Sequence, residues 1–252
     1  MPKANPHALL RRIPRWTRFE LTSLILMGLT AAALWGFVEL ADEVLEGSTR
    51  SYDETVLLML RTPGDTADPL GPPWVEEMGR DITALGGTSV LSLLTMAVCI
   101  FLMLEKKRQA AAFVLAAVTS GLLLSTLLKL GFDRPRPDLV AHGSIVYTAS
   151  FPSGHSMLAA VTYLTLGALL ARVYGRRRVK VFLLTTAVAL TVLVGCSRVY
   201  LGVHWPTDVL AGWTAGAAWA CICWLGARWL QGRRRLECEA DPASCRDRQA
   251  GR

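Results

Sequence analysis

The sequence predicts an all-α integral membrane protein of six transmembrane helices, on three observations. Hydrophobic residues make up 52% of the 252, with a mean hydropathy of +0.36. Charged residues are 19%, against roughly 25% in a typical soluble chain. The apolar residues also gather into blocks of about twenty, enough to cross a hydrocarbon layer of about 30 Å at about 1.5 Å per helical residue. A disordered chain, a disulfide scaffold and an ordinary soluble enzyme are excluded.

Six blocks qualify as spans: 21–40, 82–104, 110–130, 156–173, 181–194 and 209–225. The fifth is short but continues through 195–197 into a stretch that can still be buried. Backbone groups in lipid must find partners inside the protein, which leaves helices or a closed barrel. No alternating strands of barrel length are present. The first block follows basic residues, as a signal peptide does, but its apolar run is longer and no small-residue cleavage site ends it. It is read as a retained helix. The expected organisation is a basic arm over 1–20, a six-helix domain over 21–230 and a polar, disordered tail over 231–252.

Orientation follows the basic residues of the short loops. The N-terminal arm carries Lys3, Arg11, Arg12, Arg15 and Arg18, the second connection Lys106, Lys107 and Arg108, and the fourth Arg172, Arg176, Arg177, Arg178 and Lys180. Arg228 and Arg233 to Arg235 follow the sixth span. Six spans put all of these on one side, taken as cytoplasmic with both termini. The connection 42–81 on the other side has ten acidic and three basic residues. Within it, 52–61 reads as a short surface helix with an apolar face of Val56, Leu57 and Leu60, serving as an interfacial lid or spacer. The stretch from Trp74 to Arg80 then leads into the second span. The net charge of +7 therefore reports membrane orientation, and a nucleic-acid partner is not expected because no basic stripe carries interleaved aromatics. The six cysteines form no framework. Cys238 and Cys245 in the tail are too few to hold a metal, and neither metal nor cofactor is expected.

Three outward-facing clusters break the charge pattern. The third span ends in Lys129, followed by Asp133-Arg134-Pro135-Arg136-Pro137; the fourth opens on Pro152-Ser153-Gly154-His155; and Ser197-Arg198 leads through a loop to His204 and Asp208. Hydropathy alone puts all three on one face of the bilayer. Lys129, Arg136 and Arg198 supply three cations, and each arginine fork can grip two phosphate oxygens. At an effective dielectric of about 20, each contact at ~4 Å is worth about 4 kcal/mol before desolvation, which suits a dianion. Ser153 and Gly154 open a helix whose free N–H groups favour an anion, and Pro152 suits the position before or at that first turn. Asp208, four residues after His204, can fix the tautomer of that imidazole and aim its other nitrogen as a nucleophile. His155 can act as acid and base. With no acidic cluster for Mg²⁺, the cations replace a metal, and the residues point to metal-independent phosphoryl transfer through a phosphohistidine.

These residues resemble the type 2 phosphatidic acid phosphatase superfamily, the lipid phosphate phosphatases, which share their site with vanadium haloperoxidases. The family motif Lys-x6-Arg-Pro is matched by Lys129 with Arg136 and Pro137. Pro-Ser-Gly-His is matched by Pro152, Ser153, Gly154 and His155, and Ser-Arg-x5-His-x3-Asp by Ser197, Arg198, His204 and Asp208. The resemblance implies a six-helix fold with its site facing the periplasm or lumen. It implies His204 as nucleophile, Asp208 as its partner, His155 as acid/base, and Lys129, Arg136, Ser153, Gly154 and Arg198 as phosphate ligands. It also implies magnesium-free hydrolysis of lipid phosphates or diphosphates, the class that in bacterial relatives includes phosphatidate, phosphatidylglycerophosphate, undecaprenyl diphosphate and lipid A phosphates.

Two other readings compete. A haloperoxidase holding vanadate in the same pocket is disfavoured by the six spans, since the resembling peroxidases are soluble. A non-catalytic lipid carrier coupled to ions needs ionisable residues inside its spans, whereas Glu39, Lys129 and Arg172 all lie near span ends. Arg134 fits neither cation position of the motif and is read as structural or solvated. Asp133 and Asp138 are expected to pair with neighbouring arginines. His142 is taken as a surface residue, Trp74 and Trp205 as interface anchors, and Gly202 as the turn that brings Arg198 and His204 together. The sole asparagine, Asn5, precedes Pro6, so no glycosylation acceptor exists; with short loops and arginine favoured over lysine, a bacterial inner membrane is expected. The expected partners are the lipid substrate and the bilayer, with no protein partner implied.

Overall fold

A computed structural model describes residues 15–140 and 149–240. His7, His142 and Cys245, and with them the expectations for most of the N-terminal arm and for the end of the tail, lie outside the described residues. The elements in chain order are α1 (Arg15–Glu46), α2 (Arg50–Met59), β1 (Arg61–Thr62), β2 (Asp65–Pro69), α3 (Pro73–Ala84), α4 (Thr88–Leu104), α5 (Arg108–Gly131), α6 (Gly154–Val173), α7 (Arg177–Tyr200) and α8 (Pro206–Ala240).

Among the described residues five helices are long and apolar enough to cross a membrane: Glu20–Glu46, Arg108–Gly131, Gly154–Val173, Arg177–Tyr200 and Pro206–Gln231. The second span, expected over 82–104, is instead a pair, α3 and α4, bent by 49° at 85–87. Consecutive Gly86 and Gly87 sit at that break, and the carbonyl of Leu85 is satisfied by the Tyr163 hydroxyl at 2.8 Å, as irregular backbone at membrane depth requires. The architecture is all-α apart from a two-stranded antiparallel hairpin, β1–β2, in the long connection. The final helix runs on to Ala240, so the stretch from 231 to 240, expected as disordered tail, is helical.

Lipid tails are as apolar as leucine, so packing inside such a bundle depends on close fit and small residues rather than on water exclusion. α6 is the hub: 67% of its apolar window is buried, against 6% for α1, and it packs on α5, α7 and α8. Leu158, Ala159 and Tyr163 of α6 meet Leu91 of α4 with Ala187 and Val194 of α7. Gly212 and Gly216 of α8, four apart and thus on one face, let the two helices approach. A Cβ at Gly212 would lie 2.7 Å from the Ser153 oxygen, and one at Gly216 would lie 2.5 Å from the Met157 oxygen. The motif-bearing ends of α5, α6, α7 and α8 are thereby gathered at one end of the bundle, together with α2, β1 and α3.

Candidate active site

The segment that leaves α5 at Gly131 contains Pro135 and Pro137, which cannot continue a helix. It returns to α6 at Ser153, whose Oγ caps the helix by accepting from the Ser156 N–H at 3.5 Å and the Ser156 hydroxyl at 2.9 Å. Pro152 precedes that cap, and the Ser153 N–H is itself committed to the Asp208 carbonyl at 2.9 Å. α7 extends past the expected end of its span, so Arg198, expected beyond it, sits with Ser197 in its last turn, both 5% exposed. The loop proper is therefore 201–205. Gly202 there has φ +70, a left-handed conformation that costs glycine least, and its turn carries the chain from Arg198 to His204. Pro206 then starts α8.

His204 is 1% exposed. Its Nε2 lies 3.3 Å from Nη1 of Arg136. An arginine only donates, so Nε2 accepts and the ring proton sits on Nδ1. Nδ1 faces the Ser150 Oγ at 3.3 Å and the Asp208 Oδ2 at 3.4 Å. The Ser150 hydroxyl in turn donates to Asp208 Oδ2, which also accepts the Trp205 N–H at 3.0 Å. Arg136 is held by the Val203 carbonyl at 2.7 Å, Lys129 donates to the Ala149 carbonyl at 2.8 Å, and Arg198 donates to Thr83 Oγ1 at 3.1 Å. The Nε of Arg198 is buried without a hydrogen-bond partner, a donor a ligand oxygen would satisfy. Lys129, Arg136, Arg198 and His204 all lie within electrostatic reach of His155. A Cβ on Gly154 would stand 3.4 Å from Cε of Lys129. The motif residues thus converge on one half-open pocket in which Lys129, Arg136, Gly154 and His155 remain partly exposed while His204, Asp208, Ser153 and Arg198 are buried.

Burial pushes His204 down from its ordinary value to about 4; Asp208 opposes the drop, and Arg198 and Arg136 reinforce it. The ring is therefore neutral at physiological pH. Burial also lowers Arg136, with Asp208 opposing, although a guanidinium keeps its charge. Among the described residues no group of three or more His, Cys, Asp or Glu side chains could hold a metal ion.

Two participants escaped the sequence reading, and a third was read without its partners. Ser150 belongs to no motif considered and is fully buried on Asp208. Arg134, read as structural or solvated, is structural: its Nη1 meets Asp208 Oδ1 at 2.6 Å and Thr207 Oγ1 at 2.8 Å, and its Nη2 meets Asp53 Oδ2 at 2.7 Å. Asp53, 0% exposed, comes from the connection expected to be a lid or spacer. A signal for it existed, since Asp53 and Leu57 share one face of α2 at helical spacing, continued by Leu60 at its C-cap. Trp205 is no interface anchor: it is 5% exposed, donates to the Pro135 carbonyl at 3.0 Å and lies under Arg134. Trp74 is 65% exposed. Neither Asp133 nor Asp138 forms an ion pair among the described residues. Both are exposed, and the nearby Arg134 is taken by Asp53 and Asp208.

Apolar helices that gather a lysine, arginines and two imidazoles at one end make a multi-pass membrane protein with a site suited to a phosphoryl group. Residues 109–231 match the PAP2 superfamily. Phosphatidylglycerophosphatase B of Bacillus subtilis (strain 168) is 33% identical over 185 residues, which cover 71% of this chain and 85% of that protein. The chain belongs to the PAP2 superfamily. It is also similar to a lipid A 1-phosphatase of Rhizobium etli, 29% identical over 58% of this chain and 68% of the relative. The crystal structure of a transmembrane PAP2-type phosphatidylglycerolphosphate phosphatase from Bacillus subtilis superposes with a TM-score of 0.69 at 30% identity, covering 77% of this chain and 93% of that one.

Proposed function

We propose that this protein hydrolyses lipid phosphates or diphosphates at the extracytoplasmic face of a bacterial inner membrane, without a metal and through a phosphohistidine. The observation that carries the reading is the His204 ring, with its proton directed at Ser150 and Asp208 and its lone pair directed at Arg136. A phosphoryl group held by Lys129, Arg136, Arg198 and the Ser153–Gly154 turn would take over the Arg136 donor and meet the Nε2 lone pair. A P–N bond then forms as the P–O bond to the lipid breaks, with His155 delivering a proton to the departing oxygen. The ring becomes a phosphorylated imidazolium, and the Asp208 carboxylate, relayed by Ser150, offsets its charge. Water next attacks phosphorus, His155 takes the proton from that water, and the P–N bond breaks to release phosphate and neutral His204.

The relatives named for phosphatidylglycerophosphate and lipid A phosphates favour a phosphorylated membrane lipid as substrate, with phosphatidylglycerophosphate the first to test. The basic loops at the opposite end of the bundle, including Lys106, Lys107, Arg176 and Arg177, favour the extracytoplasmic placement. The test is phosphate release from a panel of phosphatidate, phosphatidylglycerophosphate, lipid A and undecaprenyl diphosphate in EDTA, with wild type and His204→Ala. Release in EDTA that His204→Ala abolishes supports the reading. Release that survives His204→Ala, or that EDTA abolishes, refutes the mechanism.

A further inference from the structure

The extracytoplasmic connection reaches into the site through one side chain. Asp53 projects from α2, is fully buried, and accepts three hydrogen bonds from residues far away in sequence: the Thr207 N–H at 3.0 Å, the Thr207 hydroxyl at 2.7 Å and Arg134 Nη2 at 2.7 Å. Thr207 is the second residue of α8, so Asp53 serves as a long-range cap for a helix start, where free N–H groups and the dipole favour a carboxylate. Arg134 spans the gap: the guanidinium holds Asp53 on one nitrogen and Asp208 Oδ1 on the other. With Oδ1 fixed by Arg134, only Oδ2 is left to face Ser150, the Trp205 N–H and His204.

We propose that Asp53 is a positioning residue for the His204–Asp208 pair, acting through Arg134, so that the long outer connection is part of the active centre rather than a lid over it. The proposal rests on the phosphatase reading above, and it accounts for a buried carboxylate that the motif chemistry does not use. Asp53 touches neither substrate nor His204; its effect on the pair is on the rotation of the Asp208 carboxylate through Arg134, and Asn at this position still offers Oδ1 to the Thr207 N–H.

The test compares Asp53→Asn, Arg134→Gln and the double variant in the full-length protein in detergent. Asp53→Asn is expected to lower kcat by about tenfold or more with KM within about twofold of wild type, the pattern of a group felt mainly in the transition state. The double variant is expected to be no slower than Arg134→Gln alone, because Asp53 acts through Arg134. Multiplying losses, or a kcat for Asp53→Asn within about twofold of wild type, overturn the proposal. Removing one member of a buried ion pair can unfold a protein; where a single variant fails to fold, the double variant, which removes both charges, carries the ring readout against wild type. A second readout needs no turnover: ¹⁵N NMR of the His204 ring should report the Nδ1–H form in wild type and mixed tautomers in Asp53→Asn and in the double variant. An unchanged tautomer in the variants overturns the relay. A wild type that hydrolyses no lipid phosphate removes the phosphatase reading alone, and the ring spectrum still decides the relay.

Discussion

Replacing Ser150 by alanine tests the geometry at its least anticipated point. The Ser150 hydroxyl is fully buried, donates to Asp208 Oδ2 and lies 3.3 Å from the proton-bearing Nδ1 of His204. It therefore bridges imidazole and carboxylate beside their direct contact at 3.4 Å. A hydrogen bond to a charged group is worth about 1.5–3 kcal/mol. Little of this is needed while His204 is neutral, and most of it is needed when phosphorylation makes the ring cationic, so the loss falls on the transition state. At about 1.4 kcal/mol per decade of rate, Ser150→Ala should lower kcat between about tenfold and about a hundredfold. KM should hardly move, because the phosphate ligands are untouched. Asp208 keeps Arg134 and the Trp205 N–H, so the fold should survive. The assay is steady-state phosphate release from phosphatidylglycerophosphate in detergent micelles, with thermal unfolding as the control for folding. A folded Ser150→Ala protein with kcat within about twofold of wild type would refute the bridging role.

Two further predictions follow from burial and close packing. Because burial holds His204 near 4, its ring should stay neutral as pH falls from 8 to 5, measured by ¹⁵N NMR and assigned with His204→Gln. Below the ordinary value of about 6.5 the unfolded chain takes up a proton that the folded site refuses, so stability should decline between about pH 6.5 and about pH 4; a midpoint at or above 6.5 contradicts this. Gly216→Ala would put a Cβ 2.5 Å from the Met157 backbone oxygen. It should cost on the order of 1–3 kcal/mol, the usual cost of overpacking, as a lower unfolding midpoint in detergent, while Gly226→Ala, with nothing within 4 Å, serves as the neutral control.

What could be read from the chain alone depended on periodicity and sidedness. Twenty-residue apolar blocks announce spans because lipid tolerates no unpaired backbone, and the shared bilayer face of Lys129, His155 and His204 followed from counting crossings. The break at 85–87 did not, because hydropathy averages across Gly86 and Gly87 and carries no signal of direction. The fifth span hid its last turn for a related reason: Arg198 and Ser197 look like loop residues, and a charged side chain is tolerated there because Thr83 and the pocket receive it. Trp205 was misjudged because an aromatic near a span end suits a membrane interface as well as a core. Ser150, Arg134 and Asp53 depend on contacts between distant segments, and Asp53 with Thr207 lies 154 residues apart. Only Asp53 left a local trace, through its place on the apolar face of α2.

Where α3 and α4 cross the bilayer as one bent span, their bend would tie the site to the thickness of the surrounding lipid. α4 has 17 residues, about 25 Å of rise at about 1.5 Å each, short of the about 30 Å that a typical hydrocarbon layer presents. A thicker bilayer would be met by compression of the lipids beside it or by α3 swinging toward the bundle axis to lengthen the apolar column. The second response carries a cost for the enzyme, because α3 delivers Thr83 to Arg198 and the break packs against His155, with Gly86 near His155 Cβ. Stretching acyl chains should thus loosen the grip on Arg198, so turnover in vesicles would fall as lipid chains lengthen, with membrane composition acting as a dial on the reaction.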